Sequence, residues 1–216
     1  MKFFQMLVIK HYNKRFIIDA NDAYLIKRRI VALVHPLRVQ IAELLEEMTV
    51  LNVNEICDLL DMEQSVISQH LAIMRNADLI FYNTRKSNNK FHDYQIDKKG
   101  FKRIKKFARS LSSKKKVSDR MDDVYKIMRC FSHDLRIEIM QVINDNRDVY
   151  VGIIYNKHIK RLEQSIASQH LGIIRSVDAV NAQRDGKRFY YTLNKDFIQS
   201  VSEAMTIYLQ ESLKSV

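Results

Sequence analysis

Residues 64–78 read QSVISQHLAIMRNAD, and residues 164–178 read QSIASQHLGIIRSVD. Nine of the fifteen aligned positions are identical, including the whole of Ser-Gln-His-Leu in the middle of both segments. Upstream, the tetrapeptide HPLR at residues 35–38 is echoed by HDLR at residues 133–136. A period of about 100 residues is too long for a solenoid unit, so two copies predict a duplicated domain.

The repeated segment is amphipathic when it is wound as a helix at about 100° per residue. The side expected to pack carries Val66, Ile67, His70, Leu71, Ile73, Met74 and Ala77. The opposite side, which we call polar face 1, carries Gln64, Ser65, Ser68, Gln69 and Arg75. Polar face 2 of the second copy carries Gln164, Ser165, Ser168, Gln169 and Arg175.

The chemistry of the two polar faces suits nucleic acid. Glutamine pairs with adenine edges, arginine pairs with guanine, and serine or glutamine donates to phosphates. A merely solvated helix surface would be dominated by Glu and Lys, and both faces lack them. The small Ala72 and Gly172 on the same side would let each helix approach a groove floor. Both faces are therefore predicted to bind duplex DNA.

The remaining pattern predicts a mainly α fold with small β-hairpins. The 216 residues include only four glycines and one proline, which is too few for a turn-rich sheet protein. Residues 81–96 are rich in Phe, Tyr and Thr around a central Asn-Asn, which predicts two strands and a polar turn. In the second copy, Asp185-Gly186 predicts a tight hairpin turn between two strands.

The HPLR-type start, the SxxSQHLxxxR helix and the RDGKRFYYTL hairpin together resemble the ArsR-type winged helix-turn-helix family of bacterial transcriptional regulators. The resemblance covers about residues 22–110, the first copy, and residues 119–213, the second copy. It implies two tandem winged helix-turn-helix domains, with each repeated helix in the major groove and each wing against the flanking backbone. The implied wing contacts are Arg85, Lys86 and Lys90 in wing 1, and Arg184, Lys187 and Arg188 in wing 2.

The resemblance also implies function and partners. Family members bind DNA as symmetric dimers, so the duplication would supply both halves as an intramolecular pseudo-dimer on half-sites about one helical turn apart. A homodimer stays open as the other arrangement. We expect a cytoplasmic regulator of transcription that acts as a repressor on double-stranded DNA. The alternative is a protein-interaction or RNA-binding module built on tandem winged helices.

Four segments follow from the pattern. Residues 1–20 form an N-terminal extension, which is either two strands around Tyr12-Asn13 or a helix. Residues 21–113 form the first domain and residues 119–216 form the second. Residues 114–118 link the two domains.

The net charge of the chain is +11, and much of it lies in one stretch. Residues 98–116, which we call the basic segment, hold ten Lys or Arg and no acid. Within it, the candidate phosphate track is Lys102, Arg103, Lys105 and Lys106, although a solvated face explains the charge equally well.

Other chemistry is not supported by the residues. Cys57 and Cys130 stand far apart, and neither has the second thiol or histidine that a metal cage needs. The sequence has no phosphate-binding glycine loop, no nucleophile elbow and no paired metal ligands, so we expect no enzyme activity, cofactor or metal. We also expect no membrane association, and no residue cluster identifies a small-molecule effector.

The histidines of the repeat have structural interpretations. His70 and His170 fall inside the apolar arc, which favours packed side chains bonded to backbone over base contacts. His35 and His133 precede a helix in each copy, which favours an interdomain or a capping role.

Overall fold

The computed structural model describes residues 6–11, 14–84, 92–159 and 162–213. The chain is mainly helical with small antiparallel sheets, as the sequence predicts. The helices are α1 (Ala20–Val34), α2 (Pro36–Met48), α3 (Val53–Leu60), α4 (Gln64–Asn76), α5 (Lys98–Leu111), α6 (Val117–Phe131), α7 (Asp134–Asp145), α8 (Val151–Ile153), α9 (Gln164–Arg175) and α10 (Lys195–Leu213). The strands are β1 (Met6–His11), β2 (Lys14–Asp19), β3 (Leu51–Asn52), β4 (Ile80–Thr84), β5 (His92–Ile96), β6 (Val149–Tyr150), β7 (Val180–Asp185) and β8 (Arg188–Leu193).

The chain forms two compact units. The first comprises Lys27–Tyr125 and the chain from Tyr208 onward, and the second comprises the chain up to Ile26 and Lys126–Ile207. The unit boundaries therefore fall inside α1, α6 and α10. Residues 114–118, the predicted linker, lie within the first unit, and α6 begins inside them. The division into tandem domains at this linker stays a prediction.

Local sequence signals set the helix starts of the first copy. His35 caps α2 because its Nδ1 atom accepts the Leu37 amide, and the proline that follows suits the first helical position. Asn52 and Glu55 form a reciprocal capping box at the start of α3. These caps set the first residues of α2 and α3.

Each copy contains a three-stranded antiparallel sheet. In the first copy the strand order is β3-β5-β4, and Tyr94 pairs with both neighbouring strands. In the second copy the order is β6-β8-β7, and Tyr191 holds the same central position. Both tyrosines are buried. Each hairpin is therefore anchored to its own helical core by a central aromatic residue.

The second copy differs from the first just before its repeated helix. The short helix α8 continues as a π-helical turn, Ile154–His158, whereas α3 is a regular helix of eight residues. The two-residue connection of its hairpin is Gly186-Lys187, because Asp185 pairs with Arg188 inside the ladder. The predicted turn at Asp185-Gly186 is thus displaced by one residue. Gly186 has a φ of 57°, in the left-handed region that favours glycine.

Residues 6–11 and 14–19 form an antiparallel hairpin, so the strand alternative for the N-terminal extension is confirmed over those residues. Leu7 pairs with Ile18, and both are buried. The Val8 amide donates to Gln141 Oε1 at 2.9 Å, and the Ser202 hydroxyl donates to the Ile17 carbonyl at 2.9 Å. All of these residues belong to the second unit.

The repeated helix packs on the side that the periodicity predicts. The buried residues are Ile67, Leu71 and Met74 in α4, and Ala167, Leu171 and Ile174 in α9. The expectation was wrong for Ile73, which is 41% exposed. Ile73 stands eight residues after Ser65, at about 80°, which is the margin of the predicted apolar arc. Among the described residues, no helix has the length and hydrophobicity to cross a membrane.

Candidate nucleic-acid interface

Polar face 1 lies on the solvent side of α4. Its five residues are all exposed, and they lie opposite the buried side of the helix: Gln64, Ser65, Ser68, Gln69 and Arg75. The glutamines and serines occupy the first two turns of α4. In helix-turn-helix proteins, this end of the recognition helix meets base edges.

Polar face 2 lies in the same way on α9. All five residues are exposed: Gln164, Ser165, Ser168, Gln169 and Arg175. Two of them are engaged in hydrogen bonds that shape the surface. The Tyr155 hydroxyl donates to Gln164 Oε1 at 3.2 Å, and the Ser168 hydroxyl donates to the Gln164 backbone carbonyl at 2.9 Å.

The arginine of each polar face lies over an aromatic ring of the neighbouring hairpin. Arg75 Cζ is 5.4 Å from the centroid of the Tyr82 ring, and Arg175 Cζ is 5.5 Å from the centroid of the Phe189 ring. A guanidinium within about 6 Å of a ring face is attracted by the ring quadrupole. Each polar face is therefore connected to its own wing through a cation–π contact.

Wing 2 carries three exposed cations, Arg184, Lys187 and Arg188. Arg188 Cζ lies 4.6 Å from the centroid of the Tyr150 ring, and a side-chain hydrogen bond that Arg188 donates to Tyr190 raises the pKa of Arg188. The two tyrosine rings meet edge-on at 5.7 Å. The exposed guanidinium of Arg188 thus makes a cation–π contact with the Tyr150 ring. Arg85, Lys86 and Lys90 of wing 1 lie outside the described residues.

The position of the Tyr150 ring beneath Arg188 depends on a glycine. A Cβ atom at Gly152 would lie 2.7 Å from Cε2 of Tyr150, which is closer than carbon atoms approach. Gly152 therefore permits the position of the Tyr150 ring.

In each copy, the histidine that caps an earlier helix lies beside the histidine of the repeated helix. The His35 and His70 rings lie 4.6 Å apart, and the His133 and His170 rings lie 4.8 Å apart. His133 caps α7 through the Leu135 amide, as His35 caps α2, so capping is confirmed for both.

The expected bond of His70 and His170 to backbone is not what the structure shows. Nδ1 of His70 is buried without a hydrogen-bond partner among the described residues. His170 Nδ1 lies 3.5 Å from Nη1 of Arg136, and Nε of the same arginine donates to the Cys130 carbonyl. Burial lowers the pKa of both histidines, and the positive charge of the neighbouring histidine and arginine lowers the pKa further.

Most of the candidate phosphate track is paired with carboxylates. Lys105 Nζ lies 2.6 Å from Glu46 Oε2, and Lys106 Nζ lies 2.6 Å from Glu211 Oε1. Arg103 Nη2 lies 4.0 Å from an oxygen of Asp97. Lys102 is exposed. The basic segment thus presents fewer available cations than its composition suggests.

The two thiols are protonated at neutral pH. Burial raises the pKa of Cys57, and burial raises the pKa of Cys130 to about 12. Across the described ranges, no group of three or more His, Cys, Asp or Glu side chains is placed to hold a metal ion.

Several of these contacts have no signal in the sequence. Tyr155 stands nine residues before Gln164, and Tyr150 stands 38 residues before Arg188, so no local pattern links either pair. The only hint is the loss of repeat similarity just before α9, where the two copies use different residue types.

Comparison with protein families identifies one match. Residues 35–82 match the family described as bacterial regulatory protein, arsR family, which covers α2 to β4 including polar face 1. Neither the curated proteins nor the solved structures that were compared gave a match. Regulators of this family are typically non-enzymatic DNA-binding proteins. The match supports DNA binding and regulation of transcription for this part of the chain.

Proposed function

We propose that the chain is a sequence-specific regulator of transcription that binds double-stranded DNA through both polar faces. One observation carries the proposal: the same residue types are exposed at the same positions on α4 and α9, while the opposite side of each helix is core. The family match over α2 to β4 supports the same function for the first copy. The internal repeat extends it to the second copy.

The available hydrogen-bonding groups suit base recognition better than phosphate binding alone. Gln69 and Gln169 are exposed near the middle of their helices, and an amide can donate and accept at an adenine edge. Phosphate binding would need only positive charge, and each polar face holds a single arginine. The wing cations are better placed for backbone contacts.

We further propose that one chain supplies both halves of a DNA-binding pseudo-dimer and acts as a repressor. Each copy has its own capped helices, polar face and three-stranded sheet, so each has the parts that one half-site needs. The faces are similar without being identical, which suits an imperfect inverted repeat in the DNA. Repression requires only that the bound protein occupies a promoter.

The test compares Gln69→Ala and Gln169→Ala with Gln40→Ala, an exposed glutamine of α2 that lies outside both polar faces. Each polar-face substitution should lower discrimination against single-base changes by about 1–3 kcal/mol while binding to random duplex DNA changes little. Gln40→Ala should leave both quantities unchanged. Equal losses on selected and random DNA would contradict base recognition. Binding that is insensitive to salt would favour a protein partner instead.

A further inference from the structure

We infer that Tyr155 is a positioning residue that orients the Gln164 amide and thereby gives the second copy a base preference that the first copy lacks. The inference rests on the proposed function, because it assumes that polar face 2 meets DNA. It concerns a residue outside both polar faces, on the π-helical turn before α9.

The geometry of the contact fixes the direction of the Gln164 amide. The Tyr155 hydroxyl donates to Gln164 Oε1 at 3.2 Å, and the tyrosine ring is half-buried while Gln164 is exposed. The amide oxygen is therefore turned toward the protein, and the amide NH₂ group is turned away from Tyr155. A half-buried ring has less rotational freedom than an exposed one, so its hydroxyl limits the directions open to the Gln164 amide.

Gln164 is the first residue of α9, which is where a recognition helix contacts bases. A glutamine reads adenine through both groups of its amide, since Nε2 donates to N7 while Oε1 accepts from N6. An amide oxygen can accept two hydrogen bonds, so Oε1 keeps one lone pair for a base while Tyr155 sets the direction of the amide. The Nε2 group then donates at a set angle to an acceptor on a base edge, such as a purine N7, guanine O6 or thymine O4.

A second hydrogen bond restricts the side chain of Ser168, one turn further along α9. The Ser168 hydroxyl donates to the Gln164 carbonyl at 2.9 Å, so its proton is used within the helix and its oxygen is left as an acceptor. Gln164 and Ser168 thus present an oriented amide and an oriented hydroxyl acceptor. A fixed pattern discriminates between base pairs more strongly than a mobile one.

The first copy provides an internal comparison. Gln64 also begins its helix, but the residue nine positions earlier is Glu55, whose carboxylate accepts the Asn52 amide in the α3 capping box at 2.7 Å. Glu55 is therefore committed to the helix start. The two helices begin with the same residue type, and among the described residues only Gln164 has a tyrosine hydroxyl on its amide oxygen, which is why Gln64 serves as the matched control.

The first experiment measures base preference by selection from random duplex DNA with wild type, Tyr155→Phe, Gln164→Ala and the double variant. Tyr155→Phe keeps the ring and frees the amide to rotate, so the base preference at one position of the half-site should weaken by about fivefold, the change expected for about 1 kcal/mol of discrimination. Tyr155→Phe should have no further effect when Gln164 is already alanine. Thermal unfolding of each variant checks that the fold is retained.

The second experiment reads the contact without DNA. Tyr155→Phe should shift the side-chain NH₂ resonances of Gln164 in the free protein, assigned by their loss in Gln164→Ala. The resonances of Gln64, assigned in the same way, should not move.

The outcomes separate the inference from the proposed function. If Gln164→Ala changes the selected motif and Tyr155→Phe does not, the positioning role is wrong and DNA recognition by polar face 2 stands. If Tyr155→Phe changes the preference equally in the Gln164→Ala background, Tyr155 acts elsewhere and the inference fails. If the wild-type chain enriches no motif, the proposed function itself fails, and the inference fails with it.

Discussion

Lys102 and Lys105 lie on the same helix and differ in what surrounds them. Lys105 Nζ lies 2.6 Å from Glu46 Oε2 and 4.3 Å from the centroid of the Phe101 ring, and only 17% of its side chain is exposed. Lys102 is exposed. If the basic segment binds phosphates, Lys102 is available to do so, whereas Lys105 would first have to leave a carboxylate.

The difference between Lys102 and Lys105 should appear in the salt dependence of DNA affinity. Each phosphate that a cation neutralises adds about 0.9 to the slope of log affinity against log salt. Lys102→Gln should therefore reduce that slope by about 0.9, which is about a 3.5-fold smaller loss of affinity between 50 and 200 mM salt. Lys105→Gln should leave the slope close to that of wild type. Glu46→Gln should increase the slope, because it releases the Lys105 ammonium.

The assay is equilibrium binding to one random duplex across that range of salt, with thermal unfolding measured on each variant. Lys105→Gln breaks a largely buried ion pair, so its loss of stability should exceed the value of about 1 kcal/mol typical of exposed pairs, and binding is compared at a temperature at which every variant is folded. Equal reductions of the slope by both lysine substitutions would refute the assignment of Lys105 to a structural pair. No change in either variant would remove Lys102 and Lys105 from the DNA-binding surface.

Two further predictions concern the core and the wing. Gly152→Ala should destabilise the fold by about 1–3 kcal/mol, because the new Cβ displaces the Tyr150 ring. It should also reduce the effect of Arg188→Ala on DNA affinity, because Arg188 lies over that ring. Gly172→Ala is the control for stability only, since its Cβ meets nothing within 4 Å and should stabilise α9 by about 0.5–1 kcal/mol. An unchanged Arg188→Ala effect would disprove the support role of Tyr150. Folding lowers the pKa of His70 and His170 below the ordinary 6.5. As the pH drops below about 6.5, the unfolded chain therefore binds protons at these histidines that the folded chain does not. The free energy of unfolding should fall over that range. In the double variant His70→Gln, His170→Gln, the urea midpoint of unfolding should change less between about pH 7 and 5 than it does in the wild type. An unaltered pH dependence would contradict protonation of these histidines as the cause.

Periodicity was sufficient for the parts of the fold that depend on local pattern. The buried sides of α4 and α9 follow from helical winding, and the error at Ile73 arises because a residue at the margin of an apolar arc can face either way. Helix starts at His35 and Asn52 follow from capping chemistry that acts within a few residues. The hairpin turn was displaced by one residue because a glycine can occupy either central position of a tight turn.

Contacts between distant residues could not be predicted in the same way. Glu46 and Lys105 are 59 residues apart, and Lys106 and Glu211 are 105 residues apart, so the charge of the basic segment gives no sign of its partners. The same holds for Tyr155 and Gln164, whose contact depends on the π-helical turn that replaces the regular helix of the first copy. The polar faces were predictable because their exposure depends only on the helix that carries them.

The most direct test of the central claim is selection from random duplex DNA, with the molar mass of the purified complex measured by light scattering. The account predicts an enriched motif of two related half-sites bound by one chain of 25.6 kDa. A single half-site bound by one chain, or a two-part motif bound by two chains, would contradict the pseudo-dimer. Failure to enrich any motif, with binding abolished by modest salt, would contradict sequence-specific recognition by the polar faces of α4 and α9.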